Sequence, residues 1–230
     1  MKKLLVLVVA ALAVLNMNAK KPMNFYLIGD ETMAELTQPE EVTPESAMGW
    51  GQHLNLLLPG GSSVENHAIE EGSSRKYLED GKWTDVLARI ERGSTILIQL
   101  GQYEYGDDEL GYVSTIEQFE DNLLQMIQES KKKGAKVVLL TPMAKNVFRD
   151  SLLIPRHGGY SEAVRRVAKH AHLPLIDVDQ MTTDLFIEKG EEETKSYFAE
   201  GEGVRLSANG SKEIAEMIVN EGKAKKIKGF

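Results

Sequence analysis

The chain has no cysteine among its 230 residues. That excludes disulfides, thiolate metal sites, a cysteine nucleophile and lipid attachment through a thiol, so the fold must hold by packing alone. Positive charge is also scarce, with 27 Lys and Arg against 35 Asp and Glu and a formal net charge of −8. A balance of this sign argues against nucleic acid or an anionic membrane surface as partner. Long apolar runs are missing too, apart from residues 4–15 directly after Met1-Lys2-Lys3. About a dozen residues fall short of the roughly 20 that a membrane-spanning helix needs. A short basic start, an apolar run and a small residue at Ala19 instead fit a secretory signal over residues 1–19. Met17 suits a cleavage site less well, which leaves an uncleaved anchor as the alternative. Cleavage would take the net charge from −8 to −10, because Lys2 and Lys3 leave and no acidic residue does. The product is expected to be exported, periplasmic or extracellular, with no membrane association once the signal is gone.

Residues 20–230 are one α/β domain's worth of chain, with no internal repeat, low-complexity tract or linker rich in Pro, Gly or Ser. Five short apolar runs, at 25–28, 63–66, 95–100, 136–140 and 173–177, alternate with segments of helical period. TILIQL and KVVLL are β-branched and bounded by glycine, as strands buried on both faces should be. Ile116, Phe119, Leu123, Leu124 and Ile127 keep helical spacing. Tyr160, Ala163, Val164, Val167, Ala168 and Ala171 do the same. Lys131-Lys132-Lys133-Gly134 closes the first of these helices with cations and a C′ glycine. Ser207 reads as the N-cap of a last helix carrying Ile214, Met217 and Ile218. Its lysine-rich end, residues 223–228, reads as solvated, with cations suited to the dipole. Strand and helix alternating over the whole length predicts a three-layer αβα sandwich around a five-stranded parallel sheet.

The organising stretch is FYLIGDETMA, residues 25–34: a first buried strand running into a turn. In open α/β sheets the ligand crevice lies at the strands' carboxyl ends, so Glu31 is expected to face a site. Further on stand Gly49-Trp50-Gly51-Gln52, Asn66-His67-Ala68, Ser73-Ser74-Arg75 and Gln99-Leu100-Gly101. Leu139-Leu140-Thr141-Pro142, His157 with Tyr160, Pro174-Leu175-Ile176-Asp177 and Leu206-Ser207 follow. This ordered set resembles the SGNH (GDSL-type) hydrolases, in their rhamnogalacturonan acetylesterase-like branch. The resemblance implies a flavodoxin-like sheet, with the site on the loops after the first three strands and before the last helix. It also implies plant or cell-wall polysaccharide as the material handled, and no cofactor or metal.

The resemblance covers the fold signature but not the catalytic set. The family's nucleophilic serine position holds Glu31, and the glycine whose N–H is an oxyanion donor is Glu71. The asparagine donor is Tyr103, the triad aspartate Glu202 and the histidine base Arg205. Arginine stays protonated to beyond about pH 12 and offers no acceptor, so Arg205 cannot be a general base. Attack by a Glu31 carboxylate on an ester would give an anhydride, a poor intermediate. The expectation is a non-catalytic relative, with Arg205 forked between Glu31 and Glu202 as a structural bridge. The alternative is a hydrolase using a repurposed carboxylate pair, Glu31 and Glu202, as acid and base on acetylated or acidic polysaccharide. In either case Glu31, Glu71, Glu104, Glu202 and Arg205 are expected to converge.

Other polar residues carry less. His53 and His67 sit on apolar-patterned segments and read as packed. His170 and His172 face different directions on a helix and do not make a metal-binding pair. The acidic run from Glu104 to Glu109 lacks the alternating ligands of a calcium loop. Trp50 reads as core, with sugar stacking as the lesser option.

Overall fold

A computed structural model describes residues 22–37, 43, 46–104, 113–199 and 204–230. The signal at 1–19, Glu202, and the acidic run after Glu104 lie outside the described residues.

Each expected strand forms where β-branched or aromatic residues run between turns. They are β1 (Asn24–Gly29), β2 (Ser63–Asn66), β3 (Thr95–Gln99), β4 (Lys136–Leu140) and, after a short hairpin, β7 (Leu175–Ile176). The hairpin is β5 (Phe148–Arg149) with β6 (Leu152–Leu153), antiparallel and apart from the main sheet. All main-sheet pairings are parallel, in the order β2-β1-β3-β4-β7. The carboxyl ends of β1, β2 and β3 therefore share one edge, as the doubly wound reading requires.

The helices are α1 (Gly51–Leu57), α2 (Ser74–Glu79), α3 (Lys82–Arg89), α4 (Ile116–Lys132), α5 (Tyr160–His170), α6 (Val178–Thr194) and α7 (Ala208–Ala224). Strand alternation sorts the core into two layers. Phe25, Leu27, Leu97, Val138 and Leu140 pack with Leu54 of α1, Phe186 of α6 and Ile214 and Ile218 of α7. Tyr26, Ile28, Ile96, Ile98 and Leu139 pack with Tyr77 of α2, Trp83 of α3, Phe119 of α4 and Val164 of α5. The two predicted caps are present: Gly134 turns out of α4 with φ +81°, and Ser207 accepts from Gly210 N at 3.1 Å. The structure adds a capping box of Thr115 and Gln118 at the start of α4. The β5–β6 hairpin and the helices α1, α2, α3 and α6, the last broken at Gly190, are additional to the segments named from the sequence, and the strand expected at 173–177 is only the two residues of β7.

A candidate active site occupied by its own carboxyl group

The turn after β1 is anchored from several sides. Tyr77 Oη donates to His67 O at 2.7 Å, and it lies 2.9 Å from Gly29 O and 3.2 Å from Gly29 N. Asn66 Nδ2 donates to Met33 O at 2.8 Å. The Gly49-Trp50-Gly51 segment lies directly on the turn, with Trp50 N donating to Thr32 O and Gly49 N to Ala34 O. A Cβ on Gly49 would come within 2.4 Å of Ala34 backbone atoms, so only glycine permits this approach. Trp50 itself is fully buried and donates from Nε1 to Gln99 Oε1 at 2.7 Å, so it is a core residue.

These restraints hold Asp30 and Glu31 side by side and buried. Asp30 Oδ1 accepts from Thr32 N at 2.9 Å and Thr32 Oγ1 at 2.6 Å, while its Oδ2 is buried without a partner among the described residues. Burial pushes this carboxyl up to about 6, against the Thr32 hydrogen bonds that lower it. Glu31 is pushed further, to about 8, first by burial and then by the neighbouring Asp30 charge. At neutral pH Glu31 therefore carries a proton.

Glu31 spends both oxygens on protein donors. Tyr103 Oη donates to Oε1 and the backbone N–H of Glu71 donates to Oε2 at 3.2 Å. Glu71 aims that N–H from a left-handed backbone, φ +53°, which is unusual for a residue with a Cβ. Its own carboxylate turns outward, half exposed and 4.0 Å from Lys76 Nζ, so it does not bring negative charge into the site as expected. Behind it Gly72 packs so tightly that a Cβ there would sit 2.4 Å from Gly29 O.

The expected convergence of charge is only partial. Arg205 does not bridge to Glu31; its Nη2 donates to Glu70 Oε1 at 2.9 Å near the surface. Its field still reaches Glu31 and favours the charged form, as the last of several influences. The sequence reading placed Arg205 between Glu31 and Glu202, and its pairing with Glu70 is a finding of the structure. Glu104 also turns away. Its oxygens accept from Ser74 N at 2.6 Å and Ser74 Oγ at 2.9 Å, and burial raises it to about 7. The structure thus brings together Glu31, Glu71 and Tyr103, with Arg205 beside them through Glu70.

Asp30 is the functional neighbour that the sequence reading passed over. It was visible as the Asp of the Gly-Asp pair. His157 is buried beside a small cavity of about 30 Å³, with Nε2 3.9 Å from Asp179 Oδ1, and burial lowers its pKa against the Asp179 charge that raises it. His53 and His67 are half-buried, as packed histidines should be. Among the described residues no group of three or more acidic or histidine side chains is placed to hold a metal ion.

No protein-family model matches the chain. Among relatives, the rhamnogalacturonan acetylesterase RhgT of Bacillus subtilis is 31% identical over 180 residues, which are 78% of this chain and 75% of that protein. The crystal structure of Bacillus subtilis YxiM superposes with a TM-score of 0.80 at 24% identity, covering 92% of this chain and 59% of that longer one. The acetylxylan esterase Axe2 of Geobacillus stearothermophilus superposes with a TM-score of 0.66 at 16% identity, covering 88% of this chain and 95% of its own. The two superpositions speak for the αβα fold, and the sequence match to RhgT for the branch. The chain belongs to the SGNH (GDSL-type) hydrolases, in their rhamnogalacturonan acetylesterase-like branch.

Proposed function

We propose that this chain is an exported member of its family that has lost ester hydrolysis and serves polysaccharide handling by binding rather than cleavage. The observation that carries the reading is the engagement of Glu31: Tyr103 O–H and Glu71 N–H each donate to one of its oxygens. By family resemblance these two positions supply the donors for the developing oxyanion. A resident carboxyl group on both leaves them nothing to offer a substrate carbonyl. The nucleophile position is the same Glu31, and the base position is a guanidinium paired with Glu70. The basic, then apolar, residues 1–19 support export, and the family's substrates support a polysaccharide partner.

One observation favours a second reading. A carboxyl group held near 8 is protonated at neutral pH, which is what a general acid for glycoside cleavage requires. Its partner base would be Glu202. Against this stands the engagement of both Glu31 oxygens.

The test is acetate release from aryl acetates and from acetylated pectin. No release above buffer is expected. Turnover within about a hundredfold of an active family member, abolished by Glu31→Ala, would overturn the proposal, since loss of a triad serine or histidine costs on the order of 10⁶. Reducing-end release from the same pectin, lost in Glu31→Gln, would put the second reading ahead.

A further inference from the structure

The opposite edge of the sheet, where β3, β4 and β7 begin, holds a cavity of about 710 Å³. That lies within the roughly 300–1,000 Å³ of small-molecule sites. Its floor is aliphatic, made by Ala135, Val137, Leu173, Leu175 and Ile227. Among the described residues its lining includes five lysines, Lys131, Lys136, Lys225, Lys226 and Lys228, and no acidic side chain. In a chain with eight more acidic than basic residues, that grouping runs against the overall charge.

The lysines are held in place by packing rather than carried on a loose tail. After α7 the chain reverses at Lys226, φ +55°, and Ile227 N donates back to Gly222 O at 2.9 Å. Ile227 and Phe230 are then buried, with the Phe230 ring edge-on to Phe25 at 5.5 Å and against Gly222. On the other side Lys131 Nζ reaches Ala171 O at 3.4 Å, and Lys225 pairs with Glu221 at 3.2 Å on the helix surface. Lys136 is pulled below the ordinary lysine range by desolvation and by its neighbour Lys228. The solvated helix end expected from the sequence is present, with Lys223, Lys225, Lys226 and Lys228 exposed, and Ile227 and Phe230 fix the backbone that carries them.

We propose that this cavity binds an amphipathic anion, a free medium-chain aliphatic carboxylate, with its chain on the aliphatic floor and its head group among the rim lysines. Charge complementarity selects the head, because an anion relieves the repulsion among the rim ammonium groups, of which Lys225 is already offset by Glu221. The floor selects the tail. Among the described residues no aromatic side chain lines the cavity to stack on a sugar ring, whereas an alkyl chain matches the aliphatic floor. The site is remote from Glu31, and its test is independent of the acetate assay.

The experiment is calorimetric titration of the purified protein with decanoate below its micelle concentration, beside decanol, acetate, an oligogalacturonate and anionic phospholipid vesicles. Saturable decanoate binding is expected, weaker for decanol and undetectable for acetate. Lys136→Glu/Lys228→Glu should weaken it by about tenfold or more, and Lys136→Gln/Lys228→Gln by less, since reversal replaces attraction with repulsion. Both pairs lie at exposed side chains, and circular dichroism checks that each variant remains folded. Decanoate binding unchanged by charge reversal, or matched by decanol, would overturn the proposal. So would binding of the vesicles or the oligogalacturonate without decanoate.

Discussion

At the scale of the residue, Glu31 is the group whose protonation the fold controls. Its carboxyl is raised from 4.5 to about 8 by burial and by Asp30, which is itself raised from 3.8 to about 6. A raised folded-state value means that the native protein holds a proton the unfolded chain has released. The stabilisation is full below the unfolded value and is lost as pH climbs through the folded one. Stability measured by urea unfolding should therefore fall between pH 5 and 8, with a slope from Glu31 of at most about 1.4 kcal/mol per pH unit. Asp30 adds to the lower part of that window. Glu31→Gln should flatten the profile and be the more stable protein at pH 8; superimposable profiles would mean that Glu31 titrates as an ordinary carboxyl. Tyr103→Phe sharpens the test. A hydrogen bond to a neutral group is worth about 0.5–1.5 kcal/mol and one to a charged group about 1.5–3, so its cost should rise above pH 8.

At the scale of the element, the turn after β2 matters most, because it aims the Glu71 N–H at the Glu31 carboxyl group. Adjacent positions there should respond with opposite tolerance. Gly72→Ala drives a methyl to 2.4 Å from the Gly29 carbonyl oxygen and should cost about 1–3 kcal/mol through overpacking. Glu71→Gly relieves a left-handed backbone worth about 1–2 kcal/mol but loosens the unfolded chain, so thermal unfolding should move little. Equal losses at both positions would place the constraint in side-chain contacts of Glu71 instead. Elements of this kind differ in how far the sequence declares them. The buried strands were legible because KVVLL and TILIQL are nearly continuous aliphatic runs between glycines, and two caps because Gly134 and Ser207 are residue types suited to a helix end and a helix start. The β5–β6 hairpin was not, since two-residue strands carry no alternation to read. Nor was α6, whose Gly190 break and glutamate-rich end blur its apolar stripe. In the site, the resemblance pointed to Glu31, Glu71, Tyr103, Glu202 and Arg205, but the pairing of Arg205 with Glu70 was not legible. Sequence supplies the neighbours along the chain, and the fold decides which carboxylate a guanidinium reaches.

At the scale of the whole molecule, the parallel sheet gathers the loops after β1, β2 and β3 onto one edge, and the proposed function has this frame carrying a different set of side chains. If the frame is intact, chemistry should return when the side chains do. The direct measurement is acetate release by a reversion series carrying Glu31→Ser, Glu71→Gly, Tyr103→Asn, Glu202→Asp and Arg205→His, singly and together. Residues that act as a unit have non-additive effects, so each single reversion should stay at background and the five together should hydrolyse aryl acetates measurably. Activity from Glu31→Ser alone would show that a base other than residue 205 serves the site, and a folded but inactive fivefold variant would show that the loss lies in the frame; either result would contradict the account.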